Sequence, residues 1–149
     1  MKYDSATPYI AAMIIFRKNS KVALLLRQNT GWLDGYYGLP AGKVEQGETF
    51  TEAALREAKE ETGAELEVSD IKPVLTLHRQ SEGSAWIDVI FEVQDWQGEL
   101  VNAEPHKHSR LDWFDPKALP DNLIPVTAVY LEKIRDGITY AEYGWKHKI

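Results

Sequence analysis

The chain has 149 residues, no cysteine, and a formal net charge of −6 from 17 basic and 23 acidic side chains. A chain of this length usually folds as one unit, so we expect a single domain over residues 1–149. The lack of cysteine excludes a disulfide framework, a thiolate zinc site and a cysteine nucleophile. The acidic charge disfavours nucleic-acid polymers as partners.

The N-terminal region favours a cytoplasmic protein. Its longest apolar run, over 10–16, is shorter than the roughly 20 residues of a membrane-spanning helix. Lys2 and Asp4 do not fit a signal peptide. We therefore predict a cytoplasmic location and no membrane partner.

The first half of the chain predicts a hairpin, a loop and a helix. Apolar runs over 10–16 and 22–26 flank a polar turn, and turn-forming and aromatic residues fill 29–38. A helix is predicted from about Phe50 to Thr62, because Thr49 and Glu52 match a capping box and Gly63 supplies a stop.

The second half predicts further strands and one more helix. The Trp86–Val93 segment alternates in a way that suggests a strand with one buried face. The other predicted elements are a strand over 71–78, a short apolar stretch over 111–114 and a helix over 126–135 that precedes Gly137. Helices among strands in one small chain indicate an α/β sandwich or α+β arrangement.

Three glutamates cluster at the C-terminal end of the first predicted helix. Glu57, Glu60 and Glu61 share one face, and no basic residue lies three or four positions from Glu57. Arg56 is within reach of Glu60 but cannot neutralise the group. Carboxylates about 6 Å apart repel by roughly 1–3 kcal/mol per pair, and the helix dipole adds to this cost. The cluster therefore indicates a hard cation such as Mg²⁺ or Mn²⁺; a solvated acidic face is the alternative.

The spacing around these glutamates is a known pattern. It reads Gly, five residues, Glu, seven residues, then Arg-Glu-apolar-any-Glu-Glu-any-Gly-apolar, and it is matched by Gly42, Glu48, Arg56, Glu57, Ala58, Glu60, Glu61, Gly63 and Ala64. A chance match has a probability on the order of 10⁻⁸ per window. The segment resembles the Nudix box of the Nudix hydrolases. Ala41 stands where that family often has glycine.

The resemblance implies an α+β fold, the α/β/α sandwich with a mixed sheet, and hydrolysis of a nucleoside diphosphate derivative with Mg²⁺ or Mn²⁺. It assigns the metal to Glu57, Glu60, Glu61 and the Ala41 carbonyl. Arg56 would orient the glutamates through a charge-assisted hydrogen bond, and Gly42 would let the backbone approach phosphate.

By the same resemblance, Glu104 is an additional metal ligand or the water-activating base. An ordinary loop acid before Pro105 is the alternative. Glu57 and Glu104 are the two candidates for the general base.

Substrate contacts are assigned to Arg27, Asn122 and Tyr37. Arg27 resembles a phosphate-contacting arginine, Asn122 lies near a base-reading asparagine, and Tyr37 with its aromatic neighbours would stack on a base. The alternatives are a strand-end arginine, a turn asparagine and core aromatics. His106 and His108 are interpreted as parts of a solvated polar loop, because as a metal pair they would need a third ligand. A contact with substrate phosphate or base is the alternative.

These assignments favour a Mg²⁺-dependent hydrolase of nucleoside triphosphates, including oxidised ones, that releases a monophosphate and pyrophosphate. The alternatives are another nucleoside diphosphate derivative (ADP-ribose, a nucleotide sugar or a dinucleoside polyphosphate) and, ranked lower, a non-catalytic nucleotide sensor. Some ADP-ribose-cleaving members have a proline where this chain has His78 and Arg79, which counts against ADP-ribose. The resemblance also allows a homodimer.

Overall fold

The structure, a computed structural model, describes residues 5–146. It contains eight strands, two α-helices and a short 3-10 helix over Val68–Asp70. The strands are β1 (Tyr9–Lys18), β2 (Lys21–Arg27), β3 (Tyr37–Gly38), β4 (Ala41–Lys43), β5 (Lys72–Ser81), β6 (Ser84–Val93), β7 (His108–Phe114) and β8 (Tyr140–Tyr143). The helices are α1 (Phe50–Thr62) and α2 (Pro125–Arg135).

All eight strands belong to one mixed sheet. Its main path runs β3-β2-β1-β6-β5-β8, with β4 also paired to β1 and β7 to β2. The β1–β6 and β5–β8 pairs are parallel, and the other strand pairs are antiparallel. Strand β1 is therefore the centre of the fold, because it contacts the β2 hairpin, the β4 edge and the long β6 strand.

The two faces of β1 pack against different helices. Ala12, Ile14 and Phe16 share a buried cluster with alanines of α1. Met13 and Ile15, which point the other way because side chains alternate along a strand, share a cluster with residues of α2. The sheet thus lies between two helices, and the predicted α+β sandwich is confirmed.

The first helix has the predicted bounds and caps. The Thr49 side chain accepts a hydrogen bond from the Glu52 amide, and the Glu52 side chain accepts one from the Thr49 amide. Gly63 ends the helix with a left-handed φ of 76°. These caps fix where the glutamates of the box lie relative to β4.

The strands differ from the sequence prediction in three ways. Residues 37–38, predicted as loop, pair with β2 as β3. The prediction of one buried face for β6 is wrong, because the strand is covered on both sides: Ile90 belongs to the α2-side cluster and Phe91 to the α1-side cluster. Strands β4 and β8, which are three and four residues long, were not predicted.

The predicted hairpin joins β1 and β2 through Asn19 and Ser20, which both have positive φ, at 52° and 64°. Two such residues match the right-handed twist of a two-residue hairpin turn. Neither helix in the described part of the chain is long and apolar enough to cross a membrane.

Candidate functional site

Gly42 and Glu57 bring α1 onto β4. A Cβ built on Gly42 would lie 2.1 Å from Glu57 Oε1, so the carboxylate occupies the space where any side chain at position 42 would be. The close approach that the structure shows at Gly42 is therefore that of the Glu57 carboxylate, and the approach of its backbone to phosphate stays a prediction. Gly42 also lines the cavity described below.

Arg56 is bound to the acidic cluster that the sequence presented as uncompensated. Its guanidinium donates to Glu48 through Nε and Nη2, at 2.6 and 3.0 Å, and through Nη1 to Glu57 at 2.7 Å and Glu60 at 3.3 Å. Helical spacing gives Glu57 no basic partner three or four positions away, but its immediate neighbour Arg56 makes the contact. Hydrogen bonds from Arg56 lower the pKa of Glu48 to about 2.

Glu61 is buried and held by the backbone of β4. Its Oε2 accepts a hydrogen bond from the Ala41 amide at 2.7 Å. In the β1–β4 ladder, Pro40 O accepts from Ile14 and the Val44 amide donates to Ile10. The backbone N–H and C=O groups of successive residues point alternately toward and away from the paired strand. The Ala41 carbonyl therefore faces away from β1, on the same side as the Ala41 amide. Ala41 therefore presents its backbone toward Glu61.

Glu104 reaches this site because the loop after β6 follows the end of α1. The amides of Val101 and Ala103 donate to the carbonyls of Thr62 and Glu61. These bonds satisfy carbonyls that a helix C-terminus leaves free. They also bring Glu104 beside Glu61, where these two carboxylates and a nitrogen of His108 lie within 4.8 Å of one another.

His108 is a site residue that the sequence analysis missed. It was interpreted as part of a solvated loop, but it is the first residue of β7 and only 5% exposed. Burial, together with the nearby Arg27 and Lys107, lowers its pKa to about 4, so the imidazole is neutral at pH 7. Its Nε2 lies 3.7 Å from Glu61 Oε1. His106, two residues earlier, is exposed as expected.

Burial and mutual repulsion disfavour the charged forms of Glu57 and Glu61. Burial is the largest cause that raises the pKa of Glu57, and the charges of Glu60 and Glu104 add to it. Burial and the Glu57 charge raise the pKa of Glu61 well above its usual value. A bound divalent cation would relieve both effects, and several oxygen donors with one neutral imidazole form a suitable ligand set. The residues present therefore fit a divalent metal.

Next to this cluster, a cavity of about 600 Å³ opens on the α2 side of the sheet. The end of the cavity next to the acidic cluster, which we call the metal end, is lined by Glu61, His108 and Ala41. Away from that end the wall is partly aromatic, with Tyr9 and Trp86. The volume is in the range of small-molecule sites.

Arg27 and Trp32 lie together on the cavity wall. The Arg27 guanidinium donates to the Trp32 carbonyl and to Thr30 Oγ1 and lies 5.0 Å from the Trp32 ring centroid. The Trp32 indole in turn donates to Glu82 in the β5–β6 turn. These contacts connect the 29–36 loop to the opposite wall of the cavity.

Tyr37 and Asn122 do not line the cavity. Tyr37 is buried against Phe114, and its hydroxyl donates to Asp112 at 2.6 Å, so burial in the core replaces the predicted base stacking. Asn122 is exposed and donates through Nδ2 to the Gly35 carbonyl, which gives it a loop-anchoring contact instead of the predicted substrate contact.

The comparisons with known proteins agree with this geometry. The NUDIX domain model matches residues 7–134. An ADP-ribose pyrophosphatase of Methanocaldococcus jannaschii is 34% identical over 113 residues, 76% of this chain and 65% of that protein. The 8-oxo-dGDP phosphatase NUDT18 of Danio rerio is 30% identical over 140 residues, 92% of this chain and 40% of that protein.

The chain thus spans less than two thirds of the length of either relative. Among solved structures, a MutT NUDIX hydrolase from Burkholderia pseudomallei is similar at a TM-score of 0.76 and 27% identity, over 85% of this chain and 97% of that one. The box, the sandwich and the family match lead to the same conclusion: this chain belongs to the NUDIX family.

Proposed function

We propose that the chain is a Mg²⁺-dependent pyrophosphohydrolase that converts a nucleoside triphosphate, including an oxidised one, into the monophosphate and pyrophosphate. The observation that carries the proposal is the group of Glu61, Glu104 and His108 within 4.8 Å, at one end of a cavity large enough for a nucleotide. Two relatives, an ADP-ribose pyrophosphatase and an 8-oxo-dGDP phosphatase, support a nucleotide substrate.

The metal ligands in this proposal are the Ala41 carbonyl and the carboxylates of Glu57, Glu60, Glu61 and Glu104, with the neutral His108 imidazole beside the last two as a further donor. Bound Mg²⁺, or Mn²⁺ in its place, would supply positive charge for the phosphate oxygens and acidify the attacking water. Arg56 holds Glu57 in place, since it bonds that carboxylate at 2.7 Å while Glu48 fixes the guanidinium from the other side.

The reaction is a hydrolysis of the bridge between the α- and β-phosphates. The water oxygen bonds to one phosphorus of the bridge, the P–O bond on that phosphorus breaks, and the water proton passes to a carboxylate. Glu57 and Glu104 are the two candidate bases. Arg27, on the cavity wall near the metal end, would contact a phosphate oxygen.

The second candidate substrate is ADP-ribose, favoured by the name of the M. jannaschii relative. A nucleotide sugar or a dinucleoside polyphosphate would place the same diphosphate at Glu61 and differ in the second group. A non-catalytic sensor is ranked below these, because every glutamate of the box is present.

The test measures product formation with Mg²⁺ across dGTP, 8-oxo-dGTP, dGDP, 8-oxo-dGDP, ADP-ribose, UDP-glucose and diadenosine tetraphosphate. Chromatography identifies the bond that is cleaved. We expect the triphosphates to give monophosphate and pyrophosphate. We also expect Glu57→Gln and Glu60→Gln to abolish turnover in folded protein, since a neutral amide is a much weaker ligand for a hard cation.

The matched control is Glu65→Gln, an exposed acid beyond α1 that pairs with Lys59. It should keep full activity. Turnover at the wild-type level in both box variants would overturn the proposal, and tight nucleotide binding without cleavage would favour the sensor. The pH profile of Glu104→Gln separates the two base candidates. Loss of the acidic limb would identify Glu104 as the base, and an acidic limb that persists would identify Glu57.

The proposal includes the organisation predicted from composition: a single domain over residues 1–149, a cytoplasmic location, a small-molecule substrate as partner, and a homodimer as one possible assembly. Size-exclusion chromatography with light scattering tests the last of these. Each remains a prediction.

A further inference from the structure

Arg79 is a buried cation in the cavity that the proposed chemistry does not use. Its side chain is only 9% exposed, and its Nε donates to Oδ2 of the fully buried Asp88. The guanidinium lies 4.6 Å from the ring centroid of Trp86. Arg79 and Trp86 both line the cavity. A buried guanidinium at a cavity wall calls for a functional explanation.

The terminal nitrogens of the Arg79 guanidinium have access to the cavity. Within residues 5–146, Arg79 donates from Nε to Asp88, and Nη1 and Nη2 are not among the buried unpaired atoms. Because Arg79 lines the cavity, a ligand in the cavity is in position to accept from these nitrogens. Asp88 Oδ1, by contrast, is buried and unpaired among these residues.

The sheet places Arg79 away from the metal end. It lies opposite Trp86 on β6, Trp86 lies opposite Tyr9 on β1, and β4 lies on the other side of β1. From β4, whose Ala41 binds Glu61, to β5, which bears Arg79, is three strand spacings, about 14 Å across the sheet. Arg79 also lies four residues along the strands from the level of Ala41, which adds an offset of about 13 Å in that direction. A nucleotide with its diphosphate at Glu61 would direct its base toward Arg79.

The charges around Arg79 favour a neutral acceptor over a second phosphate. Asp88 neutralises the guanidinium from behind, and the Tyr130 hydroxyl donates to the same carboxylate oxygen and fixes its position. The cavity wall also carries Glu82, which is negative, and Lys43, whose Nζ lies 5.6 Å from the Trp86 ring centroid. These two charges balance each other as Asp88 balances Arg79, so the wall has no net positive charge for a second phosphate. Trp86 and Tyr9, with ring centroids 4.8 Å apart, supply aromatic surface beside the guanidinium. Lys43 Nζ lies 4.6 Å from the Tyr9 centroid, so a planar base would bind along the remaining ring surface.

We propose that Arg79 recognises the 6-oxo group of a purine, so that the cavity selects guanine-type bases over adenine. Arginine donors pair with guanine O6, whereas adenine presents an amino donor at the same position. Oxidation of guanine at C8 leaves O6 intact, so the oxidised base would keep this contact. The inference rests on the proposed function, since it assumes that the diphosphate binds at the Glu61 end.

The first test measures binding of GMP, IMP and AMP by calorimetry, in chelator without divalent metal. We expect GMP and IMP to bind at least about tenfold tighter than AMP, because one good arginine–base pair contributes that much discrimination. IMP isolates the 6-oxo group, since it lacks the 2-amino group of guanine. Equal affinity for IMP and AMP in the wild-type protein would overturn the inference without any variant.

The second test uses Arg79→Lys, which keeps a cation beside Asp88 but removes the planar fork. We expect the IMP-over-AMP preference to fall below about threefold through weaker IMP binding, with AMP unchanged. Arg17→Gln is the matched control, because Arg17 makes a similar pair with Glu92 at 2.8 Å outside the cavity lining. A preference that persists in Arg79→Lys would also overturn the inference.

The same comparison is then made on hydrolysis of GTP, ITP and ATP with Mg²⁺, as ratios of kcat/KM. Cleavage of all three at similar rates would refute the base selection and leave the proposed hydrolysis standing. If the protein bound IMP selectively but cleaved no nucleotide, the base recognition would stand and the proposed hydrolysis would fail.

Discussion

Gly42 and Glu57 share a space that has room for only one side chain. We predict that Gly42→Ala lowers kcat/KM by about 100-fold or more, since displacement of a catalytic group by about 1 Å has this effect. A Cβ at position 42 would meet the Glu57 carboxyl group within 2.1–2.8 Å and force it off β4. Steady-state hydrolysis of the best substrate measures the loss.

The control for this change is Gly83→Ala, at a glycine with φ +79° in the β5–β6 turn and open space around its Cβ position. Its strained backbone should reduce stability, while the active carboxylates stay in place. If Gly42→Ala kept wild-type turnover, the assigned role of Glu57 would be wrong.

Glu48 makes the stability of the folded protein depend on pH in the acidic range. The hydrogen bonds from Arg56 hold the pKa of Glu48 near 2, below its usual value of 4.5, so its ionised form stabilises the folded state. That contribution is complete above about pH 4.5 and disappears as the pH falls toward 2. We predict that Glu48→Gln is less stable than wild type at pH 6 and that the difference shrinks steadily below pH 4.5.

Urea denaturation in chelator at several pH values measures this difference in the free energy of unfolding. Glu99→Gln, at an exposed acid without an ion pair among the described residues, is the control and should follow wild type throughout. A gap between Glu48→Gln and wild type that stayed constant down to pH 2.5 would contradict the role of the Arg56 contact.

At single residues, the sequence predicted the box but not its surroundings. The box glutamates could be placed on one helix face from their spacing alone. Only the resemblance implied that Arg56 bonds to the glutamates. Helix spacing does not predict the Arg56–Glu57 contact, because adjacent residues on a helix do not normally face each other. Their meeting depends on Glu48, which holds the guanidinium from the loop before the helix. His108 was missed because its burial depends on the fold around β7.

At the scale of elements, α1 is the part that presents the metal ligands, and its start depends on one side chain. We predict that Thr49→Ala lowers the free energy of unfolding by about 1 kcal/mol, the usual effect of losing an N-cap. Urea denaturation measures it. The control is Thr51→Ala, because Thr51 makes no side-chain hydrogen bond among the described residues and alanine is a better helix former. An equal loss in both variants would contradict the capping role.

The elements with local signals were predicted, and those that depend on partners were not. Helix α1 has its caps in the sequence, and the β1–β2 hairpin has its turn. Strand β8 has neither: it is four residues long, and three of the four are exposed. It becomes a strand because β5 offers a free edge, to which it pairs in parallel from Thr76 to Arg79. Parallel pairing brings together distant segments and leaves no local pattern.

For the whole molecule, the acidic charge and the metal site are linked. The charged form of Glu61 is costly in the metal-free protein, because burial raises its pKa well above the usual value. A cation that binds only the folded state stabilises it by about 2.7 kcal/mol at 100 times its Kd. We predict that Mg²⁺ or Mn²⁺ raises Tm by several degrees relative to chelator.

In Glu61→Gln this shift should largely disappear. The metal-free variant should be as stable as wild type, since a neutral amide replaces an unfavourable buried charge. NaCl at matched ionic strength is the control, because it screens charges without occupying the site. A metal-induced shift of full size in the variant would show that the cation binds elsewhere.

The pairing of β4 with β1 is only three residues long, yet it determines which residue lies beneath Glu57. A slip of one position would bring the side chain of Ala41 or Lys43 to the place of Gly42. The loop over 29–36 and the loop between Gly42 and Thr49 should therefore tolerate length changes very differently. Insertions within 29–36, which ends before β3, leave the register intact. A single inserted residue between Gly42 and Thr49 would move the helix relative to the strand, so natural length variation in this chain's relatives should concentrate before β3.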